Sequence, residues 1–341
     1  MILFNRIHNP ASFDTNSIES DLSDGKTVVI QFSERVYDDK LLAELNVLCA
    51  RNSELLEIRF YGHYEDNGYF DCQILEKLPD VKSLFVDCLY HAKNLAFLTK
   101  LKHLHTLSLG FFELKETEIL NSENLKSLQK LLLSDTRTKA LNLEYLREYQ
   151  NLKYLICCSH TKNIGAIGEL NNLEYLSLNS ISKSPIGFVN NLKKLKTLKL
   201  ILGGRSDINE IEANEIEELE IIRVRGFNEL KNITRFRKLK RLRIEDQIQL
   251  TELVFDKTLH HLEEVAILNC KSFSLLDGLK KLERLRRLWI YKTGLDFDSL
   301  VEKRIPESLQ TFGFYTSRVK IDKEIQSRIK ALGYQNRLAE V

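Results

Sequence analysis

The sequence predicts an α/β solenoid: a curved parallel β-sheet on the concave side, with short helical or 3₁₀ segments on the convex side. An apolar residue, two variable residues, an apolar residue, one variable residue and a third apolar residue recur twelve times. The recurrences start at Leu55, Val81, Leu104, Leu128, Leu152, Leu173, Leu195, Ile216, Leu239, Leu262, Leu285 and Leu309, with 21 to 26 residues between successive starts. Self-similarity at a short fixed interval is the signature of stacked repeats rather than of a two-layer domain. Upstream of several triplets the apolar spacing becomes three, as in Ile164, Ile167, Leu170, Leu173, in Leu230, Ile233, Phe236, Leu239, and in Leu276, Leu279, Leu282, Leu285. Side chains eclipse every third residue in a 3₁₀ segment.

The strand comes from alternation. In Leu173-Glu174-Tyr175-Leu176-Ser177-Leu178, the fourth and sixth positions are apolar between polar neighbours, as one buried sheet face requires. A helical crossover between such strands makes them parallel. One unit cannot bury its own apolar face, whereas stacked units can, each interior Leu or Ile contributing roughly 1.5–3 kcal/mol. About twelve repeats are expected over residues 55–317. Residues 1–54 form an N-terminal cap, with a degenerate strand Thr27–Phe32 and an amphipathic helix from Asp38 to Arg51, N-capped by Asp38 or Asp39. Residues 1–24 carry no clear period. Residues 318–341 hold a capping helix with the stripe Ile321, Ile325, Ile329 and Leu332, and with Gly333 as its C-cap. The whole reads as one continuous domain.

The pattern L-x-x-L-x-L at this interval resembles the leucine-rich repeat family over about three quarters of the chain. The three-residue spacing that feeds it is similar to the short class found in internalins and in an intracellular regulator of protein phosphatase. The asparagine usual at the ninth position of that class is largely replaced here, by Thr136, His160, Gln247, Cys270, Thr293 and Ser317 among others, which predicts an irregular internal hydrogen-bond ladder. The resemblance implies a non-enzymatic module that binds another protein on its concave face, masking or scaffolding it. Its most specific form is a bacterial immunity protein that neutralises a toxin; the alternative is an internalin-like delivered effector or adhesin.

Composition bounds the setting. The 341 residues carry a net charge of +2 and contain no apolar run of membrane-spanning length. The N-terminus Met1-Ile2-Leu3-Phe4-Asn5-Arg6 turns polar too soon for a secretory signal. Cys49, Cys72, Cys88, Cys157, Cys158 and Cys270 are scattered, with no cluster near either end. A reducing, cytoplasmic location, no membrane and a monomeric free state are expected.

Strand positions three, five and seven point away from the core, and two apolar clusters fall on them. One comprises Phe85, Leu132, Tyr154, Ile156, Cys158 and Tyr175; the other comprises Leu268, Trp289, Tyr291 and Tyr315, rimmed by Arg243 and Arg287. Contiguous exposed apolar area marks contact sites, and Trp, Tyr and Arg dominate interfaces. The second cluster holds the single tryptophan of the chain. Replacing Trp289 and Tyr291 by Ala is therefore expected to abolish binding while leaving the melting temperature almost unchanged.

Charge on the same face alternates in sign. Position two runs Glu174, Lys196, Glu217, Lys240, Glu263, Arg286, and position three runs Glu218, Arg241, Glu264, Arg287. Cross-strand pairing explains this order, and it speaks against nucleic acid, which favours a one-signed stripe. The densest basic run is Arg235, Arg237, Lys238, Lys240, Arg241 and Arg243. Gly203-Gly204 is a turn signal outside any phosphate-loop context. His103 and His105, or His260 and His261, have no further metal ligands at suitable spacing. Cys158 is read as packing rather than as a reactive thiol. No catalytic residue, cofactor or metal is expected.

Overall fold

The computed structural model describes residues 4–33, 37–62, 69–137, 139–212, 214–302 and 305–335. The chain forms two compact units, Met1–Leu173 and Glu174–Val341. In the first, strands β1 (Phe4–His8), β2 (Thr27–Phe32), β3 (Leu56–Phe60), β5 (Ser83–Lys93), β6 (Thr106–Glu113), β7 (Lys130–Leu133) and β8 (Tyr154–Cys158) lie side by side in that order, all parallel. The short β4 (Tyr69–Asp71) pairs with the far end of β5. Helices α1 (Thr15–Ser23) and α2 (Asp39–Arg51) make the first two crossovers, and 3₁₀ segments such as Leu95–Lys100, Leu143–Glu148 and Ile164–Glu169 make later ones. The register stacks like on like: Leu107, Leu131 and Leu155 are opposite one another and fully buried, as are Leu109, Leu133 and Cys157 in the next row.

Strand pairing begins earlier than the period indicates. The segment 1–24, which lacks a clear repeat, supplies β1 and α1, and β1 pairs with β2 from Phe4↔Thr27 to His8↔Gln31. The Asp14 carboxylate caps α1 by accepting from the Ser17 N–H, and Ile18 and Leu22 are the buried side chains of this helix. Helix α2 is capped by Asp38, whose carboxylate accepts from the Leu41 N–H at 2.9 Å, and it buries Leu41, Leu42, Leu45 and Leu48. A carboxylate at that place satisfies an N–H that has no intrahelical partner.

In the second unit, β9 (Tyr175–Asn179), β10 (Thr197–Ile201), β11 (Glu218–Ile222), β12 (Arg241–Glu245), β14 (Glu264–Leu268), β16 (Arg287–Tyr291) and β17 (Thr311–Tyr315) are again parallel and in order. The crossovers are not all 3₁₀. Between β12 and β14 the chain forms β13 (Glu252–Val254), which pairs with β15 (Leu275–Asp277) in a separate two-stranded sheet. Along Glu252-Leu253-Val254-Phe255 burial alternates, with Leu253 and Phe255 buried and Glu252 and Val254 exposed, a period of two that fits a strand and not a three-residue helical repeat. Leu276, expected in a helical piece, lies in β15, and the 3₁₀ segment is confined to Leu279–Lys281.

Helix α3 (Phe297–Glu302) precedes β17, and α4 (Val319–Ala331) packs against it through Ile325 and Ile329. Ile321 and Leu332, expected on the same buried stripe, are exposed, because only one turn-spaced pair of the helix faces the strand. The Gln326 amide donates to the Phe314 carbonyl at 2.7 Å, and the Phe312 N–H donates to the Gln335 carbonyl at 3.1 Å. Gly333, at φ 89°, ends α4.

Seven strands, β8 to β12, β14 and β16, end in a left-handed residue, and β5 carries one within it at Cys88. The eighth repeat position has positive φ at Cys88, Ser159, Ser180, Leu202, Arg223, Asp246, Asn269 and Lys292. In the second unit the N–H groups of the last six donate to the seventh-position carbonyl of the following strand, at 2.6–3.0 Å. The ladder therefore continues for one residue past the strand while the chain turns. The ninth position points inward at His160, Gln247 and Cys270, all fully buried, and these substitutes bond unevenly, as expected. His160 accepts from the Leu141 N–H through Nδ1 at 3.1 Å and contacts the Ser134 carbonyl through Nε2 at 2.8 Å. The Gln247 amide donates to Ile221 and Glu245 carbonyls, and the Cys270 thiol reaches the Leu268 carbonyl at 3.3 Å.

His160 is fully buried, and burial holds its pKa below the usual 6.5. A group whose folded pKa is depressed takes up protons more readily when unfolded, so its contribution is complete above pH 6.5 and falls as pH drops below it. Wild-type stability is expected to decline between about pH 6.5 and pH 5, where most carboxylates are still ionised. His160→Gln removes that titration. Urea midpoints that follow the same pH profile in both proteins would refute this account.

Candidate functional site

In the first unit the outward face is built around Phe85, Ser108, Leu132 and Ile156, which lie opposite one another on β5 to β8. Phe85, Leu132, Tyr154, Ile156 and Cys158 are half-buried. Lys130 was not among the expected site residues. Its ammonium lies 5.8 Å from the Phe85 ring centre and 5.3 Å from that of Tyr154, within cation–π range. Tyr175 belongs to the second unit, where the Lys199 ammonium lies 5.7 Å from its ring centre.

Nearer the N-terminus, the Arg59 guanidinium donates to Asp87 at 2.8 Å and lies 4.7 Å from the Tyr61 ring centre. The Tyr61 hydroxyl is 3.0 Å from His8 Nδ1 and accepts from the Gln31 amide at 3.3 Å. His8 joins this cluster only because β1 extends the sheet, which the weak alternation of Phe4–His8 hardly announces. A cavity of about 410 Å³ beside it is lined by Tyr37, Tyr61, Tyr69, Phe70, Tyr90 and His91, among others.

In the second unit the structure brings Leu268, Trp289, Tyr291 and Tyr315 together on β14, β16 and β17, but it does not leave them equally exposed. Trp289 is 8% exposed and Leu268 7%, packed with Ala266 at 5%. Trp289 lies opposite Ala266 on one side and Gly313 on the other. A Cβ on Gly313 would stand 2.5 Å from Trp289 Cε3, so the indole lies against the bare glycine backbone. The expectation of an exposed tryptophan is corrected: between two minimal side chains the ring tips onto the sheet. Its replacement must then cost stability as well as contact area. Tyr291, at 37% exposed, is the accessible member, and Tyr315 is half-buried.

Arg243 and Arg287 do not stand free on the rim. Arg287 Nε donates to Glu264 at 2.6 Å, and Arg243 forks onto Glu245 of its own strand at 2.6 and 3.0 Å. Arg241 pairs with Glu218, Lys240 with Glu217 at 2.7 Å, and Lys199 with Glu220 at 3.0 Å. Apart from Arg243–Glu245, these are cross-strand pairs, each worth about 0–1 kcal/mol. Glu218, Glu220, Arg241, Arg243, Glu264 and Arg287 line a cleft of about 330 Å³ together with Ala266 and Trp289. Cys157 is a buried filler whose thiol is pushed up to about 12 by burial. Among the described residues, no three His, Cys, Asp or Glu side chains are grouped to hold a metal ion, and no helix is long and apolar enough to cross a membrane.

Parallel strands at each triplet, alternating with short 3₁₀ or helical crossovers, define a leucine-rich repeat fold of the solenoid type. No protein-family model matches the sequence, and no curated protein matches it. Among solved structures, the chain is similar to an internalin from Listeria monocytogenes at 17% identity, covering 82% of this chain and 77% of that one, with a TM-score of 0.49. It is also similar to a Leptospira interrogans leucine-rich repeat protein, at 15% identity, covering 78% and 92%, with a TM-score of 0.29. A chain of the mouse RP105/MD-1 complex matches at 14% identity over 85% of this chain and 52% of its own length, with a TM-score of 0.45.

Proposed function

We propose that the chain is a protein-binding module whose partner docks on the outward sheet face of the second unit, over Tyr291, Tyr315, Leu268 and Trp289. One observation carries this reading: Trp289 is seated on Gly313 and flanked by Leu268 and Tyr291 before any partner arrives. An apolar platform whose rotamers are already fixed loses little entropy on binding, and aromatic anchors at the centre of a patch dominate interface energy. The flanking charges are satisfied among themselves, so docking leaves few of them to be desolvated without a partner. Phe85, Leu132, Tyr154 and Ile156 form a contact surface of the first unit by itself, and Tyr175 adds to the outward face of the second.

Such a module acts by occupying its partner's surface, without catalysis. In its most specific form it masks a toxin and protects the cell that makes both proteins; the alternative is an internalin-like effector or adhesin. A reducing, cytoplasmic setting and a monomeric free chain belong to the same proposal; the free cysteines are in keeping with the first. Tyr291→Ala tests the reading most cleanly. It is expected to weaken capture of the principal bound protein at least tenfold while changing stability by no more than about 0.5 kcal/mol. If the same protein is retained undiminished by the variant, the platform is not the interface. Growth rescue on co-expression with that protein separates toxin masking from the alternative.

A further inference from the structure

We propose that a hollow on the connecting segments before β12 and β14 binds a phosphate monoester, carried by a phosphorylated side chain of a protein. The densest basic run in the sequence divides in the fold. Lys240, Arg241 and Arg243 lie on or beside β12 and are neutralised by Glu217, Glu218 and Glu245. Arg235 and Arg237 instead precede the strand and converge with Lys257 of the next repeat on a hollow of about 750 Å³. Among the described residues, none of these three cations has a carboxylate in ion-pair range, and all three are exposed. Like charges gathered in one hollow repel one another, and a dianion relieves the repulsion.

The lining suits a phosphoryl group. Guanidinium forks match pairs of phosphate oxygens, and an ammonium adds a point charge. Thr258, half-buried and next to Lys257 in the chain, also lines the hollow. The two repeats are tied together at this point. The Thr234 hydroxyl donates to the Asp256 carboxylate at 2.7 Å, and the Lys281 ammonium donates to the Asp256 carbonyl at 2.6 Å. Those bonds tie the segment before Lys257 to the neighbouring repeats, and one of them occupies the Asp256 carboxylate.

The positive zone is short. Glu212 lines one side, and His260 on the other faces Glu283 at 3.6 Å. A nucleic-acid backbone running across the hollow would meet these carboxylates, and no Phe, Tyr or Trp lines it to stack a base. A single phosphate on a polypeptide fits instead.

The test titrates the full chain by calorimetry at low ionic strength, where screening is weakest. The probes are the peptide Gly-Gly-phosphoserine-Gly-Gly, its unphosphorylated and Glu-substituted forms, inorganic phosphate and a short single-stranded oligonucleotide. The phosphopeptide is expected to bind at least tenfold more tightly than either other peptide. Arg235→Ala and Lys257→Ala are each expected to weaken it at least fivefold, whereas Lys240→Ala, at a paired site, leaves it within twofold. Inorganic phosphate competing for the same site supports the assignment. Equal binding of phosphorylated and unphosphorylated peptides overturns it, as does equal loss in the Lys240 variant, or an oligonucleotide that binds more tightly than the phosphopeptide.

Discussion

Gly203→Ala is expected to destabilise the second unit by about 3 kcal/mol, while Gly204→Ala, one residue on, changes stability by no more than about 0.5 kcal/mol. The two glycines look alike in sequence, yet the chain treats them differently. Gly203 has φ 75°, and a Cβ there would stand 2.2 Å from the Ile181 carbonyl oxygen of the preceding repeat. A left-handed L-residue costs about 1–2 kcal/mol, and forcing backbone apart in a packed stack adds about 1–3 kcal/mol. At Gly204 a Cβ finds its nearest atoms at 3.5 and 3.6 Å, ordinary contact distances. Urea midpoints of the two variants settle the matter, and equal midpoints would mean that the turn after β10 can move aside.

Trp289→Ala is expected to cost about 3 kcal/mol of stability, the lower end for a buried tryptophan, and to weaken partner binding at least thirtyfold, equivalent to about 2 kcal/mol. Because both quantities change, the variant alone cannot separate support of the sheet from contact with the partner. Gly313→Ala can. It leaves the indole in place chemically but drives its Cε3 and Cζ3 edge off the glycine, where a Cβ would lie 2.5 and 2.7 Å away. As Trp289 is the only tryptophan, intrinsic fluorescence reports its surroundings directly. Wild-type emission is expected to be that of a shielded indole, shifting to longer wavelength in Gly313→Ala in step with lost affinity. A shifted spectrum with undiminished binding would show that the seating of the ring is irrelevant to recognition.

The repeat was legible because inward residues repeat at fixed offsets: Leu176 and Leu178, or Leu242 and Ile244, read as a buried face from alternation alone, and they are buried. Alternation gives the direction of a side chain but not what covers it. Trp289 points outward as read, and it is shielded by neighbours on adjacent strands that lie more than twenty residues away in sequence. A signal was present, since the row Ala266, Trp289, Gly313 sets one large side chain between two minimal ones. Strand β1 was missed because Phe4–His8 offers too few residues to establish a period, and it is recruited by pairing with β2. The substitution of β13 and β15 for helical pieces was equally hidden, because a three-residue strand depends on its partner and not on its own propensity. The division of the basic run into a neutralised half and an unneutralised half depends on which acidic residues lie one repeat away, which register alone decides.

The left-handed residue that recurs at the ends of β8 to β12, β14 and β16 has a consequence for how such a chain can diversify. Its backbone torsion is dictated by the stack, yet the side chains found there include Ser159, Leu202, Arg223, Asp246 and Lys292, which share neither charge nor size. The scaffold thus sets aside a regularly spaced series of positions whose chemistry can be rewritten at modest conformational cost. A change of client can proceed one rung at a time while the interior leucines stay untouched.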